Sequence, residues 1–196
     1  MAYHPSTMNI LIVSGTPKHE GLTHSCVQMA REGVESSGGG CSVVSLCEAK
    51  LACCKVCDDG WGICKKEHVC AFGDDGFTAI QDRLAAADAL VLVTPVYWGE
   101  MSEAMKAFFD RYRRCEASKG DGSALRGKQV LLVAVPGDSG NGMVSCFEQM
   151  EKLCRHLRAD IFDFVGVNRW NKEYKLVTIG AAATALVVQA GKPLGQ

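Results

Sequence analysis

Five short runs constrain this chain more than any other feature: MNILIVSG at residues 8–15, CSVVSL at 41–46, ALVLVT at 89–94, QVLLVAV at 129–135 and IFDFVGV at 161–167. They run apolar rather than alternating between apolar and polar, the pattern of strands covered on both faces. Segments with helical spacing lie between them. Cys26, Val27, Ala30 and Val34 recur until Ser36-Ser37-Gly38-Gly39-Gly40 stops the first helix, and Phe77, Ile80 and Leu84 mark another, with Asp74 or Asp75 as its cap. Residues 102–114 offer Met105, Phe108, Phe109 and Tyr112 for packing, and 143–157 form a further helix. Alternating strands and helices predict an open α/β parallel sheet covered on both sides. No repeat, linker or second domain is visible, so residues 1–196 read as one domain.

Composition narrows the partners. With 22% charged residues, 47% apolar residues and a net charge of -1, the chain has no basic run to meet nucleic acid or an anionic membrane, and neither partner is expected. The opening MAYHPSTMNI lacks a basic and apolar leader, which predicts a cytoplasmic protein. The charge-free stretch 176–191 is shorter than the roughly 20 residues that span a bilayer and reads as a packed helix, with a subunit interface as one use.

The cysteines are the second constraint. Of eleven, five crowd between Cys53 and Cys70 in CCKVCDDGWGICKKEHVC, on a loop that occupies 51–75. Crowded thiolates repel unless a metal or cluster neutralises them. Cys54 and Cys57 have the two-residue gap that lets one loop present two sulfurs to one centre, and Cys64 and Cys70 form a second pair. An iron–sulfur cluster is the favoured occupant; zinc, free thiols and a redox disulfide stay open. The six remaining cysteines are scattered through apolar segments and read as buried thiols.

In an open parallel sheet, ligands bind beyond the carboxyl ends of the strands where strand order reverses, so the loops after strands one, three and four are expected to share a site. The first offers Ser14, Thr16, Lys18, Gly21 and Thr23 at a helix start, suited to a phosphate. It has no Gly-Lys-Ser/Thr and no G-x-G-x-x-G, which excludes the usual triphosphate and dinucleotide fingerprints. The second, Pro95-Val96-Tyr97-Trp98-Gly99, puts two large aromatics at a strand end, where a planar heterocycle would gain stacking area. The third is Pro136-Gly137-Asp138-Ser139-Gly140-Asn141-Gly142.

Together these residues resemble the flavodoxin-like NAD(P)H-dependent FMN reductase family from about Asn9 to Val167. Gly15-Thr16-Pro17-Lys18 with Gly21 and Thr23 is similar to its GSPRKxGNT phosphate loop, with Leu22 in place of the usual Asn. Thr94-Pro95-Val96-Tyr97-Trp98-Gly99 is similar to its SPVYWG ring loop. Lys106, Phe109, Asp110 and Arg111 match the helix that follows. The resemblance implies a flavodoxin-like doubly wound five-stranded parallel sheet, order 2-1-3-4-5, with the cysteine-rich loop after strand 2. It also implies FMN held by Ser14, Thr16, Lys18, Gly21 and Thr23, by Pro95, Val96, Tyr97, Trp98 and Gly99, and by Gly137, Asp138, Ser139, Gly140 and Asn141.

Within that family the loop is similar to that of the iron–sulfur flavoproteins, whose pattern is C-x2-C-x2-C, a gap, then C. Here Asp58 to Ile63 lengthen the middle gap. On this resemblance Cys54, Cys57, Cys64 and Cys70 would hold one [4Fe-4S] cluster, with Cys53 a rival first ligand and zinc the less favoured metal. Expected partners are NAD(P)H or a ferredoxin-type donor and a small-molecule or protein acceptor. Alternatives are a cluster-free NAD(P)H-dependent FMN or quinone reductase and a non-enzymatic flavin carrier. No catalytic side chain is assigned: His19, His24 and His68 read as loop surface, and His156 as helix surface.

Tyr97, Trp98 and 176–191 carry more apolar surface than a small monomer leaves bare, which predicts a homodimer or homotetramer. Light scattering at micromolar concentration is expected to give a mass at least twice the 21.0 kDa of one chain.

Overall fold

A computed structural model describes residues 8–137 and 140–190. Parallel strands β1 (Asn9–Ser14), β2 (Gly40–Ser45), β3 (Ala89–Tyr97), β5 (Gln129–Val135) and β6 (Asp160–Gly166) lie in the order β2-β1-β3-β5-β6, and the two-residue β4 (Glu100–Met101) pairs only with β3. Apart from that addition the order is the expected one, reversing between β1 and β3. The cysteine-rich loop follows β2 after a single helical turn, α2 (Leu46–Ala49), for which the sequence carried no expectation.

Each central strand feeds two cores. Ile10 and Ile12, Val91 and Val93, and Leu131 and Val133 pack with α1 (Leu22–Ser36) and α6 (Lys172–Gln189). Their neighbours Leu11 and Val13, Leu90 and Leu92, and Val130 and Leu132 pack with α3 (Phe77–Ala86), α4 (Glu103–Glu116) and α5 (Met143–Leu157). Successive side chains of a strand point to opposite faces, so a strand buried twice must be apolar throughout. The stretch 176–190 lies in α6, with Ile179, Ala183 and Leu186 buried and Val177 and Val188 exposed.

Two boundaries differ from expectation. β3 continues through Pro95 to Tyr97 because Val96 and Tyr97 pair with Met101 and Glu100 in a hairpin. Its two turn residues, Trp98 and Gly99, have φ of 53° and 79°, the positive values of a type I′ turn. The helix assigned to an Asp74 or Asp75 cap begins instead at Phe77 behind Gly76, whose φ is 94°.

α1 and α6 touch backbone to backbone. A Cβ on Gly33 would lie 2.3 Å from the Gly180 carbonyl oxygen, and Thr184 Oγ1 donates to the Gly33 carbonyl at 2.9 Å. Alanine ordinarily gains about 1 kcal/mol over glycine inside a helix. At this position the steric term wins: Gly33→Ala is expected to cost about 1–3 kcal/mol in urea unfolding. A stabilised variant would show that the two helices part freely.

Candidate functional site

The loops beyond β1, β3 and β5 meet where the strand order reverses. Gly15 starts the first, and its N–H donates to the Val93 carbonyl at 2.9 Å. A Cβ there would lie 2.5 Å from Ser102 Oγ. Ser102 caps α4 by accepting from the Met105 N–H at 3.4 Å, and its own N–H donates to the buried Thr94 Oγ1 at 3.0 Å. Three sequence-distant segments are thus held against one another by a glycine, a serine and a threonine.

They enclose a cleft of about 540 Å³. Of the expected residues, Thr16, Lys18, Gly21, Thr23, Pro95, Val96, Tyr97 and Gly137 line it. α1 opens onto this cleft from Gly21, with no capping side chain and no acidic residue in its first turn. The N–H groups of its first turn and its positive end are therefore available to an anion. Within the loop, the Thr16 N–H donates to Ser14 Oγ at 3.4 Å and the Lys18 N–H to Thr16 Oγ1 at 3.3 Å.

Other expected residues fall elsewhere. Ser14 is buried beneath the loop and borders a neighbouring cleft of about 490 Å³. Trp98 forms the outer tip of the hairpin, fully exposed, and Gly99 packs so closely on Gly142 that a Cβ on the latter would come within 2.6 Å of the Gly99 Cα. Gly140 packs by Asn168, and Asn141 leads to Gly142, the residue preceding α5. Asp138 and Ser139 lie outside the described residues. Arg169 and Lys172, which sequence reasoning missed, complete the cationic side of the cleft. They follow β6, so extending the strand-end rule by one loop would have found them.

A second pocket lies under the cysteine loop. Cys53, Cys54, Cys57, Cys64 and Cys70 all line it, although Cys53 is also exposed to solvent. Cys115 joins them from α4; burial pushes its thiol up to about 12, with Cys70 and Cys64 adding to the shift. Among the described residues, no three His, Cys, Asp or Glu groups form a set that could hold a metal ion. His68 is half-buried rather than on the loop surface, its Nδ1 within 3.2 Å of the Cys115 carbonyl and 3.1 Å of Ser118 Oγ.

Two arginines of α4 form the back of the pocket. Arg111 grips the Asp75 carboxylate with both terminal nitrogens, at 2.6 and 3.0 Å. The Asp75 Oδ1 also accepts from the Phe77 N–H at 3.3 Å, so Asp75 serves the start of α3 from the position before Gly76. Arg114 packs over Trp61 and donates to the Gly60 carbonyl, while its Nε is buried with no hydrogen-bond partner. An unpaired buried cationic donor beside five loop thiols suits an anionic, sulfur-rich occupant. Backbone strain concentrates here too: Val56, between Cys54 and Cys57, has φ of 48°, a value β-branched residues avoid.

Known proteins resemble this chain in sequence and in fold. The family model described as NADPH-dependent FMN reductase matches residues 8–170. An iron–sulfur flavoprotein of Methanocaldococcus jannaschii is 30% identical over 146 residues, covering 74% of this chain and 71% of the relative. A second from that organism is 31% identical over 136 residues, covering 69% and 65%. Among solved structures, an NAD(P)H:quinone oxidoreductase from Methanothermobacter marburgensis superposes with a TM-score of 0.71 at 16% identity, covering 92% of this chain and 96% of that one; it is alike in fold.

The Arg111 guanidinium holds the Asp75 carboxyl below the usual carboxylate range. A depressed native pKa stabilises the fold above the unfolded pKa, and the gain is lost as pH falls through the native value. Asp75→Asn is therefore expected to lower urea stability at neutral pH and to flatten its decline in acid, the two proteins converging at the lowest pH. Parallel pH profiles would contradict this.

Proposed function

The chain belongs to the NADPH-dependent FMN reductase family and is an FMN-dependent oxidoreductase, and from that premise we propose that it works as an iron–sulfur flavoprotein. In this reading FMN occupies the 540 Å³ cleft, and one [4Fe-4S] cluster sits in the cysteine pocket on Cys54, Cys57, Cys64 and Cys70. The whole chain then acts as one FMN-binding domain with the cluster loop 51–75 inserted. The observation that carries the reading is that one sheet edge bears both the open helix start in the cleft and the pocket lined by every thiol of the loop.

The residue types lining the cleft and the pocket suit both groups, although the loop thiols do not stand together as a set for a single metal ion. The uncapped start of α1, the Thr16 and Thr23 hydroxyls, Lys18, Arg169 and Lys172 suit a phosphate, and Pro95, Val96, Tyr97 and Pro136 give a flat apolar wall for a ring. Arg111 and Arg114 supply positive charge beside the thiols, as an anionic cluster requires. When bound, FMN couples two-electron to one-electron chemistry, and the cluster passes single electrons. The chain's own part is to hold the phosphate, orient the ring against the Pro95–Tyr97 wall, and shield the thiols from water under α4. No side-chain acid or base is needed for that work.

Expected partners are NAD(P)H or a ferredoxin-type donor and a small-molecule or protein acceptor, with the protein acting as a homodimer or homotetramer in the cytoplasm. Zinc could use the same four sulfurs, and the neighbouring flavin cleft is what favours a redox-active centre over an inert ion. That no three described His, Cys, Asp or Glu groups form a metal-holding set favours a second reading, a cluster-free NAD(P)H-dependent FMN or quinone reductase.

Anaerobic purification decides between them. The protein is expected to carry about one FMN and about four irons with matching sulfide per chain. Cys54→Ser, Cys57→Ser, Cys64→Ser and Cys70→Ser should each lose iron, and Cys53→Ser should keep it. Equal iron in all five variants, or stoichiometric zinc in the wild type, would remove the cluster reading. Flavin lost on desalting after incubation with excess FMN would remove the cleft assignment.

A further inference from the structure

Arg111 commits every hydrogen-bond donor it has to the cysteine loop. Its residue is 2% exposed. Nε donates to Cys70 Sγ at 3.4 Å, Nη1 to the Ala52 carbonyl at 3.2 Å and Asp75 Oδ2 at 2.6 Å, and Nη2 to the Phe72 carbonyl at 2.5 Å and Asp75 Oδ1 at 3.0 Å. The guanidinium carbon lies 4.2 Å from the centre of the Phe77 ring, which closes one face. Arg111 therefore ties the loop's entry at Ala52 to its exit at Cys70, Phe72 and Asp75.

Two backbone carbonyls and a carboxylate would suffice to anchor a loop. The fifth donor goes instead to a sulfur, a weak acceptor as a thiol and a much stronger one as a metal-bound thiolate. We infer that Arg111 raises the reduction potential of the cluster, as a positioning residue acting through Cys70, and that Asp75 limits the rise. This rests on the [4Fe-4S] reading above. One electron enters the cluster from FMN or the external donor, adding one negative charge and breaking no bond. A cation hydrogen-bonded to a ligand sulfur in a buried setting stabilises the more negative state. Asp75 holds the opposite charge against the same guanidinium and so reduces the positive field that reaches the sulfur.

The test is a spectroscopically monitored redox titration of anaerobically loaded protein. Arg111→Gln is expected to lower the cluster midpoint by about 59 mV, a tenfold change in the one-electron equilibrium. Arg111→Lys, which keeps the charge and loses the fork, should fall between it and wild type. Asp75→Asn is expected to shift the midpoint the opposite way, upward. Opposite signs from the two halves of one ion pair are the signature of a field effect; a purely structural anchor would move both variants in one direction or neither, and that overturns the inference. Should Arg111→Gln fail to fold or load, Asp75→Asn decides the sign by itself, with amide hydrogen exchange over 51–75 showing whether its loop is intact. An upward shift supports the inference, and an unmoved or lowered midpoint overturns it. Wild-type protein that loads no iron overturns the cluster reading and this inference together, whereas loaded protein with unmoved midpoints overturns this inference alone.

Discussion

A guanidinium with five acceptors holds the functional edge of this protein together. Arg111 is almost wholly buried, and a buried charge is tolerated only where its partners are complete, since removing one leaves a cost of several kcal/mol. Here the partners belong to the two ends of a loop with little regular structure of its own. The loop thus takes its shape from α4 rather than from internal packing. α4 in turn is anchored at Ser102 against Thr94 on β3 and Gly15 on the first loop. One helix registers the cysteine pocket at its third turn and the cleft at its first.

The sheet explains why the cleft and the cysteine pocket share an edge. Every strand of a parallel sheet delivers its following loop to the same side, and the order reversal between β1 and β3 leaves the following segments diverging to opposite faces. The cleft fills that gap. The loop after β2 starts at the same edge and crosses to the α4 face, where α4 backs it.

The central strands β1, β3 and β5 were legible because burial on both faces leaves an unbroken apolar run; the edge strands β2 and β6, read by the same signal, are only partly covered. The family resemblance rested on loop residues whose chemistry is local, and most of the residues it implied do line the cleft. What failed depended on contacts distant in sequence. Asp75 looked only like a helix cap, whereas its main partner is Arg111, thirty-six positions away, and the cap position itself is Gly76. Trp98, implied as a ring contact, sits at the exposed hairpin tip because Glu100 pairs with Tyr97. Cys115 read as a core thiol, which by burial it is; only the docking of α4 beneath the loop brings it to the pocket. Arg169 lies in the loop after β6, one strand beyond the three whose loops were expected to share the site.

The glycine contact between α1 and α6 reaches beyond packing. Both helices begin at the same sheet edge, and their starts supply the Gly21–Thr23 turn and Lys172 to one cleft. Because Gly33 meets Gly180 at backbone distance, with Thr184 bonded across the seam, neither helix can slide or tilt without the other. The pair behaves as the fixed jaw of a vice whose gape is machined into the fold. The distance between the Gly21–Thr23 turn and Lys172 is thereby set by the seam between the helices, not by whatever the cleft holds.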